Sequence, residues 1–85
     1  MEKKVKEIIG EIKNKPYLAQ VLSDETDIIN DVELDSLQMI NFILRIEEEF
    51  DLEFDYDNFN YDHLSSITNF CQFISKQKEP RVAMS

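Results

Sequence analysis

The sequence predicts an all-α fold, a small four-helix bundle with three main helices, one short helix and a long first loop. Three observations predict it. Apolar residues recur at i, i+3, i+4 and i+7 in separate segments, which is the spacing of a single buried helix stripe. Glycine occurs once and proline twice in 85 residues, too few turn residues for the repeated tight turns of an all-β domain. Only residues 51–57 alternate acidic with apolar side chains in the period of a strand, and they have no second candidate to pair with.

The first helix is expected over residues 2–14, where Val5, Ile8, Ile9 and Ile12 form one stripe. It stops before Pro16, because the proline ring disfavours the helical region for Lys15. Residues 16–34 form the long connection, with a single helical turn across residues 17–22. Loops of this length in compact domains carry function or pack their own side chains, and Leu22, Ile28, Ile29, Val32 and Leu34 supply apolar anchors. Asp35 followed by Gln38 is a capping-box pattern, and it starts a second helix over residues 37–50. That helix is apolar on two faces. Met39, Phe42, Ile43, Ile46 and Phe50 make one stripe; Leu37, Ile40 and Leu44 make another. One must meet the core, and the other, flanked by Asn41, Arg45, Glu47 and Glu48, is a candidate docking surface.

An isolated strand would leave its backbone groups unsatisfied, so residues 51–57 are expected to be an extended linker that inserts Leu52 and Phe54 into the core. A short third helix is expected over residues 57–61. The last helix begins near Ser65 or Ser66, either of which can cap it, and carries Ile67, Phe70, Cys71 and Ile74 at helical spacing. The domain is expected to cover residues 1–78, with a flexible tail over residues 79–85.

A chain of this size buries only about 60–65% of its unfolded surface, which leaves little material for a deep catalytic pocket. The net charge is −9, and it is unevenly placed. Residues 1–15 hold five lysines and three acids, whereas residues 24–62 hold fourteen acids against the single Arg45. Such a field repels nucleic acid and anionic lipid and steers the domain toward basic partners. One cysteine, Cys71, excludes an internal disulfide and points to a reducing compartment. No apolar run reaches membrane-span length, and the lysine-rich start lacks a signal peptide's hydrophobic stretch. A cytoplasmic monomer with no membrane insertion is expected.

Ser36 lies where the acidic loop turns into the second helix. Its hydroxyl is exposed at a helix mouth, where free backbone N–H groups and the positive end of the helix dipole both favour a phosphate. As a catalytic nucleophile Ser36 lacks a glycine-flanked elbow, and the chain's one imidazole is His63, so an autonomous serine hydrolase is excluded and the chain is read as not an enzyme. Asp55, Asp57 and Asn58 fail as a calcium loop because Asn60 and Ser66 stand where glycine and glutamate are needed. A lone histidine does not make a zinc site.

Residues 26–37 (TDIINDVELDSL), followed by Ile40, Leu44 and residues 46–51 (IEEEFD), closely resemble the carrier-protein family of acyl, peptidyl and D-alanyl carrier proteins. The resemblance covers nearly the whole chain. It implies that Ser36 receives 4′-phosphopantetheine from coenzyme A through a phosphopantetheinyl transferase. It places the acid beside the serine on Asp35, the following leucine on Leu37 and the acidic end of the recognition helix on Glu47, Glu48 and Glu49. It also implies partner contacts through Asp35, Leu37, Ile40, Leu44, Glu47 and Glu48. The function implied is transport of acyl or aminoacyl cargo as a thioester on the arm. An activating ligase loads the cargo, and downstream synthase or transferase enzymes take it up. The working thiol belongs to the arm, since Cys71 sits in an apolar stripe. Many members carry glycine where this chain has Glu33, and the proline common in the linker is absent from residues 52–55; Asn41 and Arg45 make the helix less uniformly acidic. The end of the chain, from Phe59 to Ile74, looks more like free-standing carriers of amino-acid or specialised-product pathways. The alternative function class is an unmodified acidic adaptor that docks through the second helix. The two separate on whether the Ser36 hydroxyl matters.

Overall fold

Val5, Ile8 and Ile9 are buried along one face of α1 (Glu2–Ile12), which packs against each of the other α-helices among the described residues. The computed structural model describes residues 1–54 and 57–77. In them α1 is followed by a short α2 (Leu18–Val21), α3 (Ser36–Phe50), a 3-10 helix (Tyr61–Leu64) and α4 (Ile67–Gln77). There is no strand among the described residues.

The first helix is shorter than its expected reach to residue 14. Asn14 adopts the left-handed conformation (φ 58°), which asparagine tolerates better than most residues, and the chain turns there. The Asn14 N–H donates to the Glu11 carbonyl (3.1 Å) and the Lys15 N–H to the Gly10 carbonyl (2.8 Å), the paired bonds of a Schellman ending. The returning chain comes close to Gly10: a Cβ there would stand 3.1 Å from the Lys15 carbonyl oxygen and 3.4 Å from Pro16 Cα. Gly→Ala inside a helix ordinarily stabilises by about 1 kcal/mol. Here the clash is with backbone that is itself held by the Schellman bond and by the Leu18 N–H on the Lys15 carbonyl (2.9 Å). Gly10→Ala is therefore expected to lose about 1 kcal/mol in urea unfolding, because overpacking outweighs helix propensity.

The long first loop is strapped down by backbone hydrogen bonds. The Ile28 N–H donates to the Leu64 carbonyl (3.0 Å), the Ile67 N–H to the Thr26 carbonyl (3.0 Å) and the Thr68 N–H to the Asp24 carbonyl (2.9 Å), so the loop is laced to the start of α4. Ile28 and Val32 are buried, and Leu22, Ile29 and Leu34 are packed against the core. Asp27 shapes the next turn by accepting the N–H groups of Asn30 (2.7 Å) and Ile29 (2.9 Å) on one carboxylate oxygen and the Asn30 side-chain amide on the other. The backbone bond from Asn30, then its side-chain bond, holds the Asp27 carboxyl below the usual carboxylate range.

Phe42, Ile43 and Ile46 carry the buried face of α3. The helix ends at Asp51, another left-handed residue (φ 53°), with the Leu52 N–H on the Glu47 carbonyl (3.1 Å). The linker enters the core as expected: Phe54 is buried and Leu52 half-buried, and Phe54 stacks toward Phe70 and Phe73 with centroids 6.1 and 5.2 Å apart. Phe42 and Phe70, 5.2 Å apart, join α3 to α4.

The short helix expected over residues 57–61 stands later, as the 3-10 turn Tyr61–Leu64. Asn60 determines its start, since the Asn60 side chain accepts the Asp62 N–H (2.9 Å) while His63 Nδ1 accepts the Asn60 N–H (3.1 Å). Ser66 rather than Ser65 caps the backbone of α4, its hydroxyl accepting the Asn69 N–H (3.0 Å); the Ser65 hydroxyl takes the Asn69 side-chain amide (2.7 Å). The expected tail over residues 79–85, and Asp55 of the rejected calcium reading, lie outside the described residues. No helix among the described residues is long and apolar enough to cross a membrane.

Candidate functional site

Asp35 ends the loop in extended conformation (φ −79°, ψ 179°) and caps α3. Its carboxylate accepts the Gln38 N–H (2.7 Å) and the Gln38 side-chain oxygen accepts the Asp35 N–H (3.1 Å), so the capping box read from the sequence is complete. Glu33, where glycine is common in the resembling family, stands in the left-handed region (φ 59°). The turn has the shape glycine favours although the residue is not glycine.

Ser36 is the first residue of α3 and is exposed. With Gln38 bonded to the Asp35 carboxylate and Met39 to the Asp35 carbonyl (2.8 Å), the Ser36 and Leu37 N–H groups have no acceptor among the described residues. Two neutral donors and the positive end of a fifteen-residue helix therefore meet at the Ser36 hydroxyl. The other described serines are occupied: the hydroxyls of Ser23, Ser65, Ser66 and Ser75 all take part in hydrogen bonds. Beside Ser36 an open groove of about 480 Å³ is lined mainly by Ile29, Leu34, Met39, Ile40 and Tyr61. An exposed hydroxyl, a phosphate-compatible helix mouth and an adjoining apolar groove together fit a phosphate-linked, partly apolar arm.

The second apolar stripe of α3 faces solvent. Leu37, Ile40 and Leu44 are 67%, 56% and 50% exposed along one side of α3. The acidic end behaves less uniformly. Glu48 is exposed, with its carboxylate 3.9 Å from Arg45 Nε. Glu49 pairs with Lys4 of α1 (3.7 Å), and the Glu47 carboxylate turns inward to accept the Phe54 N–H (2.8 Å), where it holds the linker to the end of α3. Arg45 pairs with Glu11 of α1 as well as Glu48, so much of its charge is answered within the molecule.

Two residues of the site are not legible in the sequence. Tyr61 reaches the Ser36 groove only because the 3-10 helix starts at that residue, and Lys13 reaches the capping box from the end of α1, its ammonium lying 3.4 Å from the Gln38 side-chain oxygen. His63 stacks on Phe73, with ring centroids 4.3 Å apart. No group of three or more His, Cys, Asp or Glu side chains is gathered for a metal among the described residues.

Residues 3–74 match the sequence profile described as the phosphopantetheine attachment site. The chain belongs to this family of carrier proteins. The prosthetic group of a phosphopantetheine attachment domain is 4′-phosphopantetheine. The acyl carrier protein of Buchnera aphidicola subsp. Schizaphis graminum (strain Sg) is 38% identical over 53 residues, which are 62% of this chain and 65% of that relative. The match thus spans just under two thirds of the relative's length. The solution structure of a holo acyl carrier protein from Nitrosomonas europaea superposes with a TM-score of 0.80 at 22% identity, covering 88% of this chain and 92% of that one. This likeness establishes that the carrier domain has the same all-helical fold.

Proposed function

We propose that this carrier domain bears 4′-phosphopantetheine on Ser36 and carries acyl or aminoacyl cargo between enzymes. The observation that carries the reading is the state of Ser36: an exposed, unengaged hydroxyl on the first turn of α3 beside two free N–H groups, in a chain whose family is defined by phosphopantetheine attachment. When bound, the group supplies a thiol whose thioester is activated for acyl transfer. The chain's own residues present and identify the site. Asp35 and Gln38 fix the helix mouth, and the Ser36 and Leu37 N–H groups face the phosphate position. The groove lined by Met39, Ile40 and Tyr61 offers an apolar surface next to it.

Catalysis on this reading belongs to the partners: a phosphopantetheinyl transferase, an acyl- or aminoacyl-activating ligase and downstream synthase or transferase enzymes. They meet α3 at Asp35, Leu37, Ile40, Leu44 and Glu48, with Glu47 contributing field more than direct contact because its carboxylate holds Phe54. The place of action is the cytoplasm. The resemblance of residues 59–74 to free-standing carriers favours an amino-acid-using or specialised pathway.

Intact-mass measurement tests the reading. Incubation of the apo protein with coenzyme A and a broad-specificity phosphopantetheinyl transferase should add one phosphopantetheine; an unmodified adaptor stays at the apo mass. The partner face has its own test in stopped-flow binding to the transferase. Glu48→Lys should slow association about three- to tenfold at low salt and flatten the salt dependence. Leu44→Ala should speed dissociation with little change in melting temperature, since half of that side chain already faces water.

A further inference from the structure

We propose that Lys13 is a positioning residue of the Ser36 site: its ammonium locks the capping box that presents Ser36 and supplies the local cation for a phosphodiester formed there. This rests on Ser36 being the attachment residue. Lys13 is the C-cap of α1, and its side chain crosses to the turn before α3, where Nζ donates to the Glu33 carbonyl (3.3 Å) and to the Gln38 side-chain oxygen (3.4 Å). That same Gln38 oxygen accepts the Asp35 N–H, so Lys13 is a third member of the box and stands two hydrogen bonds from the Asp35 backbone nitrogen. Lys13 also lines a crevice of about 140 Å³ that it shares with the apolar Leu18, Leu22 and Val32 and with the charged Lys15 and Asp31.

Two features of the turn give this contact its purpose. Glu33 holds a left-handed backbone that costs about 1 kcal/mol or more in a non-glycine residue, and Lys13 is bound to that residue's carbonyl. The turn is also crowded with like charge from Asp27, Asp31, Glu33 and Asp35. A phosphodiester on Ser36 adds another negative charge to this group. The free N–H groups of α3 answer it with partial charge only. Among the described residues, Lys13 is the one lysine or arginine whose side chain hydrogen-bonds to residues 27–38. Its charge is therefore placed to favour the modified form over the unmodified one, whereas its hydrogen bonds support both.

The two roles separate in a comparison of apo and holo protein. Both forms of the parent chain, Lys13→Met, Lys13→Arg and Lys15→Met are prepared with coenzyme A and a broad-specificity transferase, verified by mass and melted at low and high salt. Lys13→Met should lower the holo melting temperature by about 2–5 °C more than the apo one at low salt, the size expected of a partly exposed charge interaction in a domain of this length. The excess should shrink at high salt, return toward zero in Lys13→Arg and be absent in Lys15→Met, which removes the same charge from an exposed side chain nearby. The phosphodiester ³¹P resonance should move in Lys13→Met and not in Lys15→Met. Equal loss in apo and holo forms, with an unmoved ³¹P resonance, overturns the proposal and leaves Lys13 a strut. Failure of the parent chain to gain mass overturns the attachment reading itself, and this proposal with it.

Discussion

Ser36→Ala is expected to abolish the mass gain from coenzyme A entirely while shifting the melting temperature by less than about 3 °C. On the proposed reading the Ser36 oxygen is the atom that forms the phosphodiester, and alanine has nothing in its place. The fold should be indifferent, because the cap of α3 is Asp35: its carboxylate accepts the Gln38 N–H at 2.7 Å whether or not the next residue has a hydroxyl. Alanine also has the highest intrinsic helix propensity, so the substitution does not work against the helix. Asp35→Ala is the contrasting variant. It keeps the hydroxyl but removes the cap, so it should cost about 1 kcal/mol of stability and slow modification without eliminating it. Mass gain that survives Ser36→Ala would move the attachment to another serine, and each of the other described serines would first have to give up a hydrogen bond.

Cys71→Asp should come close to unfolding the domain. Cys71 is 4% exposed on the inner face of α4, beside Phe70 and Ile74, which are fully buried. An aspartate there buries a carboxylate among apolar side chains, with the charges of Glu2 and Asp24 opposing those of the N-terminus and Lys6, and is expected to cost about 3–5 kcal/mol. Domains of this size hold on the order of 5–10 kcal/mol in total. Cys71→Ala removes only a small apolar group and should cost about 1 kcal/mol. Burial pushes the thiol from the ordinary 9.0 up to about 12, with the Glu2 charge adding to the effect. Thiol reagents should therefore react slowly with the native protein and quickly once it is unfolded. The same shift sets a pH dependence. The unfolded thiol ionises near pH 9 and the folded one near 12, so this contribution to stability is intact below about pH 9 and is lost as pH rises toward 12. Denaturant melts across that range should show an alkaline decline that is smaller in Cys71→Ala. Loading of cargo by a ligase should be unaffected in Cys71→Ala, since the working thiol is on the arm; loss of loading there would give the buried cysteine a part in transfer.

Fold class and candidate site were legible to different depths, and the difference follows the range of the interactions. Periodicity is local, so the buried stripes of α1, α3 and α4 were readable from Val5, Phe42 and Phe70 with their neighbours at helical spacing. Asp35 and Gln38 lie three residues apart and bond to each other, so the start of α3 and the exposure of Ser36 were readable too. The exposed row of Leu37, Ile40 and Leu44 could be recognised as a second face. Which of the two faces is covered is decided by packing against α1 and α4.

Boundaries set by backbone conformation were harder to read. The end of α1 depends on Asn14 entering a left-handed region, and the short helix after the linker is displaced to Tyr61 because Asn60 and His63 cap each other. Neither follows from apolar spacing. The sequence places Glu47 in an acidic run at the end of α3; only the fold shows that the backbone of Phe54 returns to its carboxylate.

By itself, then, the sequence determined the helices, their buried stripes, the capped helix mouth with its serine and the acidic field around it, because each depends on residues within one or two helical turns. Tertiary structure alone decided that Tyr61 lines the groove beside Ser36, that Glu47 faces inward and that Lys13 reaches Gln38 from twenty-five positions away. The reason is physical: a capping box closes within one turn of chain, whereas a lysine on one helix meets the cap of another only after a core has formed and brought the two helix ends together.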